Sequence, residues 1–176
     1  MQAISAVELV DHLSRRFEVS DSSGLFVPST DVVPVKDWLE DEYYVGPVAK
    51  DLYPFWKEVI IEFIEGGYNE LIITGSLGGG KSYAALVIAE RKLYELNQNR
   101  PIANYLGLAA ASKVLFVYLA LSIRQAQLTG FGKLTKMIDS SPYFQEQFPR
   151  NPNIDSVLDF NKEVAIIAGS DISHVS

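Results

Sequence analysis

Cysteine is absent from the 176-residue sequence, and histidine occurs only twice, at His12 and His174. The absence of cysteine excludes disulfide bonds and cysteine-ligated zinc, and it is compatible with a reducing cytoplasm. Metal ligands usually come in closely spaced sets, so two histidines near opposite ends of the chain do not indicate a metal site.

Positive charge is also scarce, with 15 Lys and Arg residues against 22 Asp and Glu residues. A chain that binds nucleic acid over a broad face usually carries an excess of basic residues, so any DNA contact here is expected to be a local patch. The longest apolar run, Val114 to Leu121, has eight residues and is too short to cross a bilayer. With no signal-peptide pattern at Met1, we expect a soluble intracellular protein without a membrane partner.

Apolar residues make up 48% of the chain, which suffices for the core of a folded domain. Three- and four-residue spacing of apolar positions predicts helices at residues 6–17 and from Val48 to Ile64. A short helix is expected from Pro34 to about Tyr43, because proline is common at a helix start, and another from Lys81 to Leu96, a segment rich in helix formers. A further helix is expected after Ser122, weakened by Gly130 and Gly132, and a short helical turn from Pro142. Short apolar runs predict strands at Leu71–Thr74, Val114–Leu121, Val157–Phe160 and Val164–Ala168, with a tight turn at Asn161-Lys162.

A glycine-rich segment lies between the predicted strand at Leu71–Thr74 and the predicted helix from Lys81. It reads Gly75-Ser76-Leu77-Gly78-Gly79-Gly80-Lys81-Ser82 and satisfies the pattern G-x-x-x-x-G-K-[ST] in full. In such a segment, glycines let the backbone N–H groups come close to a triphosphate. The helix that follows directs its N-terminal amides and positive dipole end at the phosphates.

The residue types assign roles within this segment, which is called the phosphate loop below. Lys81 would place its charge on the β- and γ-phosphates as the catalytic residue, and the Ser82 hydroxyl would bind Mg²⁺. The expected ligands are ATP and Mg²⁺, with nucleotide contacts from Gly75, Ser76, Leu77, Gly78, Gly79, Gly80, Lys81, Ser82 and Tyr83. The alternative is a glycine-rich turn that binds nothing.

Alternation of strands and helices around this loop predicts an α/β fold of three layers with a mostly parallel sheet, the P-loop NTPase core. We assign residues 66–176 to the first half of that core and residues 1–65 to a helical amino-terminal extension.

Aromatic residues precede the phosphate loop by about twenty positions, in Tyr53-Pro54-Phe55-Trp56. Stacking on adenine is a hypothesis for Tyr53 or Trp56. The alternative is that these rings are core residues of an amphipathic helix, and this is the interpretation we adopt for Phe55.

An acidic residue at the end of a second apolar strand would be needed to hold Mg²⁺ and to activate water. Neither Asp159 nor Asp171 fits that position, and both are interpreted as solvated loop charges. Arg124 and Gln125, followed by Lys133 and Lys136, either contact a nucleic acid backbone or form a solvated basic face.

Several segments together resemble the ATPase domain of bacteriophage large terminase subunits, the motors that package DNA into capsids. Besides the phosphate loop, these are Asp41-Glu42-Tyr43-Tyr44-Val45-Gly46, Leu52-Tyr53-Pro54-Phe55-Trp56, Ser122-Ile123-Arg124-Gln125-Ala126, Ser141-Pro142-Tyr143-Phe144 with the residues up to Pro149, and Ile167-Ala168-Gly169-Ser170. One departure is Leu77, because many members of this family carry an arginine early in the loop.

The resemblance implies an ATPase that couples hydrolysis to translocation of double-stranded DNA in the cytoplasm of an infected host cell. It also implies a portal protein and a small terminase subunit as partners, a homo-oligomeric ring at the procapsid portal, and a nuclease domain. The family's Asp-Glu strand would lie beyond Ser176, so we expect weak ATP binding and hydrolysis near background from this chain. Two rival hypotheses are a helicase-type translocase and a nucleotide-gated interaction module that does not hydrolyse ATP.

Overall fold

The computed structural model describes residues 32–109, 111–153 and 157–170, and more than half of these lie in helices. The α-helices are α1 (Val35–Glu40), α2 (Glu42–Val45), α3 (Val48–Asp51), α4 (Pro54–Glu65), α5 (Lys81–Gln98), α6 (Ile102–Tyr105), α7 (Ile123–Gln125), α8 (Gly132–Ser140) and α9 (Pro142–Gln147). A π-helix, Ala126–Phe131, connects α7 to α8, and the strands are β1 (Val114–Leu119), β2 (Val157–Phe160) and β3 (Val164–Gly169). None of the described helices combines the length and apolarity that crossing a membrane requires.

The helices predicted from Pro34 and from Val48 are shorter in the structure, whereas the helix predicted from Lys81 to Leu96 is confirmed and extends to Gln98. The helix expected from Pro34 ends at Glu40, and Asp41 then caps α2 by accepting a hydrogen bond from the Tyr43 amide at 2.8 Å. The helix expected from Val48 to Ile64 is interrupted before Pro54, because a residue that precedes proline avoids the helical region. Tyr53 accordingly has ψ 141°. The predicted helix at residues 6–17 lies outside the described residues.

The sheet has three strands in the order β1-β3-β2. β1 and β3 are parallel, with Phe116 opposite Ile166, whereas β2 and β3 are antiparallel. Asn161 and Lys162 form the tight turn between β2 and β3, with φ of 49° and 65°. The connection between β2 and β3 has three residues, 161–163, and so short a connection can join only antiparallel neighbours, so this predicted turn fixes the direction of β2.

The predicted three-layer core with a mostly parallel sheet is wrong. Within the described residues the sheet is small and mixed, and helices dominate. The predicted strand at Leu71–Thr74 is also wrong, because that segment has no strand structure and the Ile72 side chain is exposed. A short apolar run becomes a strand only where a neighbouring strand supplies its backbone hydrogen bonds, and this segment is not part of the sheet.

A single buried cluster joins the helices to one face of the sheet. Its largest fully buried side chains are aromatic: Trp38, Tyr94, Phe144, Phe148 and Phe160. Helix α1 packs on α4, α4 on α5, and α5 on α8, while the π-helix packs on β1 and β3. The outward side chains of β1 are exposed, so only one face of this strand contributes to the core.

Two of the segments that carry the family resemblance pack against each other. The Ser141 hydroxyl accepts a hydrogen bond from the Phe144 amide at 3.4 Å and donates to the carbonyl of Tyr44. The Tyr43 hydroxyl donates to the Glu146 carboxylate at 3.1 Å. We call this contact of α2 with the start of α9 the α2–α9 junction, and its role in the described structure is packing.

Candidate functional site

The phosphate loop leads directly into α5, the longest described helix. Gly80 is the N-cap residue, with φ 80° and no side-chain cap, and Lys81 is the first helical residue. Gly75 and Gly78 also have positive φ, at 138° and 79°. The first-turn amides of a helix have no acceptor within it, so the backbone donors of α5 are directed towards the loop.

The Lys81 side chain folds back into the loop that precedes it. Its ammonium group donates to the Gly75 carbonyl at 2.8 Å and also to the carbonyl of Ser76. A cation at this position interacts favourably with the negative ends of the two carbonyl dipoles. Lys81 thus pairs with carbonyls of its own loop in this structure, and its contact with phosphate stays a prediction.

Trp56, on α4, contacts the opposite end of the loop. Its indole N–H donates to the Gly79 carbonyl at 2.6 Å. A Cβ added to Gly80 would lie 2.9 Å from the indole nitrogen and 3.4 Å from the Tyr53 ring. Only glycine fits at this position, both because of its positive φ and because the two aromatic rings are so close.

A cavity of about 470 Å³ opens between the phosphate loop and the start of α4. Its lining includes Tyr53, Phe55, Trp56, Thr74, Gly75, Ser76, Gly78, Gly79 and Lys81. The structure thus brings the predicted aromatic residues and the phosphate loop to one cavity. Cavities of this size accommodate small-molecule ligands.

The three aromatic side chains of the cavity differ in exposure. Trp56 is 8% exposed, whereas Tyr53 and Phe55 are 61% and 63% exposed. Our interpretation of Phe55 as a core residue is therefore wrong, because the first turn of α4 directs it towards the cavity and not into the core. Tyr53 and Phe55 present open aromatic faces, while Trp56 is used in packing and in its bond to Gly79.

The remaining predicted nucleotide contacts lie on the outer side of the loop and on the first turn of α5. Leu77 is fully exposed, and the Ser82 side chain is exposed as well. Tyr83 is half-buried, and burial, assisted by the charges of Asp51 and Glu90, raises the pKa of its hydroxyl to about 12. The Tyr83 hydroxyl is thus neutral at physiological pH.

Glu90 is a buried carboxyl group that sequence analysis did not single out. It lies on α5, is fully buried, and neither carboxylate oxygen has a hydrogen-bond partner among the described residues. Burial raises the pKa of Glu90 well above its usual value. Full burial is atypical for glutamate. The sequence signal for it was weak, a single acidic residue within an apolar part of a predicted helix.

The acidic and basic candidates do not join the cavity. Asp159 is buried on β2 and pairs with Lys113 at 2.7 Å, so its interpretation as a solvated loop charge is wrong. Asp171 lies outside the described residues. Arg124, Gln125, Lys133 and Lys136 are exposed along α7 and α8. In the described part of the chain, no three carboxylate or imidazole groups converge into a metal site.

No family model matches the sequence, and neither a curated protein nor a solved structure shows significant similarity to it. The candidate site therefore depends on its own geometry and on the motif that it contains.

Proposed function

We propose that this chain binds ATP, with Mg²⁺, in the cavity between the phosphate loop and α4. The proposed protein is the nucleotide-binding part of a viral DNA-packaging motor, a large terminase subunit. The observation that carries the nucleotide proposal is the phosphate loop itself, with positive φ at Gly75, Gly78 and Gly80 and the Lys81 ammonium in its centre.

The chemistry of the loop favours an anion over a cation. Three of its carbonyl groups already accept hydrogen bonds from protein side chains, those of Gly75 and Ser76 from Lys81 and that of Gly79 from Trp56. The backbone N–H groups at the start of α5 have no capping side chain. A polyphosphate supplies the acceptor oxygens that these donors need.

The aromatic side of the cavity supports a nucleotide as the ligand, in preference to free phosphate. Tyr53 and Phe55 lie beside the loop with open faces, and flat aromatic surfaces stack on purine bases. Because Trp56 is buried, we assign base stacking to Tyr53 or Phe55.

The residues present fit a magnesium ion only in part. The Ser82 hydroxyl, on the first turn of α5, would supply one oxygen ligand, although Ser82 is exposed and is not among the residues that line the cavity. Mg²⁺ commonly keeps several waters and takes its other ligands from the substrate phosphates, so one hydroxyl from the chain is compatible with this role. When bound, the ion would neutralise charge on the phosphate oxygens.

The motor proposal adds partners to the nucleotide proposal. These are double-stranded DNA, a portal protein, a small terminase subunit and further copies of the chain in a ring, in the cytoplasm of an infected host cell. The support for them is the motif resemblance, together with three exposed basic residues on α7 and α8, namely Arg124, Lys133 and Lys136. A helicase-type translocase remains the rival with the same nucleotide site.

The test of the nucleotide proposal is replacement of Lys81 by alanine. We expect Lys81→Ala to weaken ATP and pyrophosphate binding by about tenfold or more, because a charge-assisted contact to phosphate contributes roughly 1.5–3 kcal/mol. Isothermal titration calorimetry measures both affinities, and AMP is expected to bind much more weakly than ATP. The matched control is Lys36→Ala, which removes an exposed lysine of α1. Equal ATP affinities for Lys81→Ala and Lys36→Ala would contradict the proposal.

A second prediction concerns turnover. The cavity lining consists of aromatic rings, glycines, two hydroxyl side chains and one lysine, so a general base is not among the residues that line it. We expect this chain alone to bind ATP but to release phosphate at a rate close to background. A phosphate-release assay measures this, and multiple turnovers per second by the isolated chain would refute it.

A further inference from the structure

The Trp56 side chain connects α4 to the phosphate loop through a hydrogen bond. Its indole N–H lies 2.6 Å from the carbonyl oxygen of Gly79, and the indole ring is 8% exposed. The same ring would be 2.9 Å from a Cβ at Gly80. The indole therefore fixes the Gly79–Gly80 peptide both by a hydrogen bond and by packing.

The orientation of this peptide decides whether the loop presents an oxygen or an N–H group to a ligand. Glycines on both sides give the peptide unusual rotational freedom. A trans peptide is planar, so its carbonyl and its N–H point in opposite directions. While the Gly79 carbonyl faces the indole, the Gly80 N–H is held pointing away from it, and the carbonyl oxygen cannot turn to repel a bound phosphate.

We infer that Trp56 is a positioning residue for polyphosphate binding: its indole N–H presets the amides of the phosphate loop before the ligand arrives. The inference rests on the proposed function, because it concerns the same loop. Trp56 acts through Gly79 and not by touching phosphate, and preorganisation of this kind improves affinity by lowering the entropic cost of binding.

The direct test is Trp56→Phe, which keeps an aromatic ring but deletes the N–H donor. Loss of one hydrogen bond is expected to weaken pyrophosphate and ATP binding about three- to tenfold. The matched control is Trp38→Phe, because the indole nitrogen of Trp38 is buried without a hydrogen-bond partner among the described residues. Calorimetric titration with pyrophosphate and with ATP compares the two variants, and thermal unfolding confirms that each is folded.

A second measurement needs no variant that alters the site. In a ¹H–¹⁵N correlation spectrum of the unchanged protein, each of the two tryptophans gives one indole N–H signal. We expect the Trp56 signal to shift as pyrophosphate is added and the Trp38 signal to stay in place. Because Trp56 lines the cavity, this shift reports that the ligand occupies the cavity, and the affinities of the two variants decide the positioning role. The Trp38→Phe spectrum assigns the two signals even if Trp56→Phe does not fold.

The outcomes separate this inference from the proposed function. Weaker pyrophosphate binding by Trp56→Phe than by Trp38→Phe, with a shifting Trp56 signal, supports the positioning role. Equal binding by both variants overturns the positioning role and leaves the nucleotide site standing, whereas a stationary Trp56 signal at saturating pyrophosphate means that the ligand binds outside this cavity and overturns both. No binding of pyrophosphate or ATP by the unchanged protein overturns both.

Discussion

Glu90 shows how a single residue can make stability depend on pH. Its carboxyl group is fully buried without a hydrogen-bond partner in the described structure, so the folded protein favours the protonated form. The folded-state pKa is thus raised above the unfolded value. Stability from this difference is fully present below the ordinary glutamate pKa of 4.5 and is lost as the pH rises through the raised pKa.

Replacing Glu90 by glutamine removes this titration while keeping the size of the side chain. We expect Glu90→Gln to be more stable than the unchanged protein at neutral pH, with the difference shrinking as the pH falls towards 4.5. Thermal unfolding from pH 4 to 8 measures the difference. Glu62→Gln, an exposed substitution on α4, is the control and should show little pH-dependent change. A pH-independent difference for Glu90→Gln would contradict the burial argument.

At the scale of elements, the π-helix Ala126–Phe131 brings Gly130 directly onto the Tyr118 ring of β1. A Cβ added at Gly130 would lie 1.9 Å from that ring, far inside the contact distance. The sequence suggested that this glycine merely weakens a helix. The structure instead explains it by the close approach of the helix to the sheet.

Gly130→Ala is therefore expected to destabilise the fold, although alanine is the better helix former. Overpacking of this kind costs about 1–3 kcal/mol, which exceeds the roughly 1 kcal/mol gained in helix propensity. Urea unfolding of Gly130→Ala measures the loss. In a Tyr118→Ala background the same substitution should cost much less, since the clashing ring is gone, and an unchanged cost there would rule out this explanation.

Elements with local signals were predictable from the sequence, and those that need a distant partner were not. Local signals act through the neighbouring backbone, and the structure confirms the helix starts predicted at Pro34, Ser122 and Pro142. It also confirms the turn predicted at Asn161-Lys162. The run Leu71–Thr74 has a strand-like composition, but no neighbouring strand pairs with it. Periodicity over four residues cannot distinguish these cases, so the predicted parallel sheet was too large.

The site was predictable to a similar extent. The phosphate loop was recognisable because all the residues of its motif lie in one continuous segment, from Gly75 to Ser82. The bond from Trp56 to Gly79 joins residues 23 positions apart and leaves no motif. The exposure of Phe55 was missed because helical spacing alone does not show where a short helix meets a cavity.

At the scale of the whole molecule, the end of α5 that is remote from the phosphate loop is hydrogen-bonded to α9, beside the α2–α9 junction. Asn97 and Gln98, at the end of α5, donate to the Tyr143 hydroxyl of α9 at 2.6 and 2.9 Å. An α5 helix of 18 residues is about 27 Å long. One long rigid element therefore connects the α2–α9 junction to the candidate site.

Ser141→Ala tests the contribution of the α2–α9 junction to the whole fold. Ser141 is fully buried, and alanine would lose both the cap on α9 and the bond to the Tyr44 carbonyl. We expect the free energy of unfolding to fall by about 1–3 kcal/mol, because α9 loses its cap and the part-buried Tyr44 carbonyl loses its donor. Denaturant unfolding measures this, with exposed Ser140→Ala as the neighbouring comparison. Equal losses for the two variants would argue against a special role for Ser141.

The contact of the Lys81 ammonium with the Gly75 and Ser76 carbonyls has a consequence for ligand affinity. An incoming phosphate does not meet a free ammonium group, because Lys81 already donates hydrogen bonds to two carbonyl oxygens of the same chain. Binding of phosphate is then an exchange of hydrogen-bond acceptors, in which Lys81 gives up the two carbonyls for phosphate oxygens. Exposed side chains change rotamer in picoseconds to nanoseconds, so this exchange does not limit the rate of binding. The carbonyl contacts that Lys81 gives up instead reduce the net free energy gained from its new contact with phosphate.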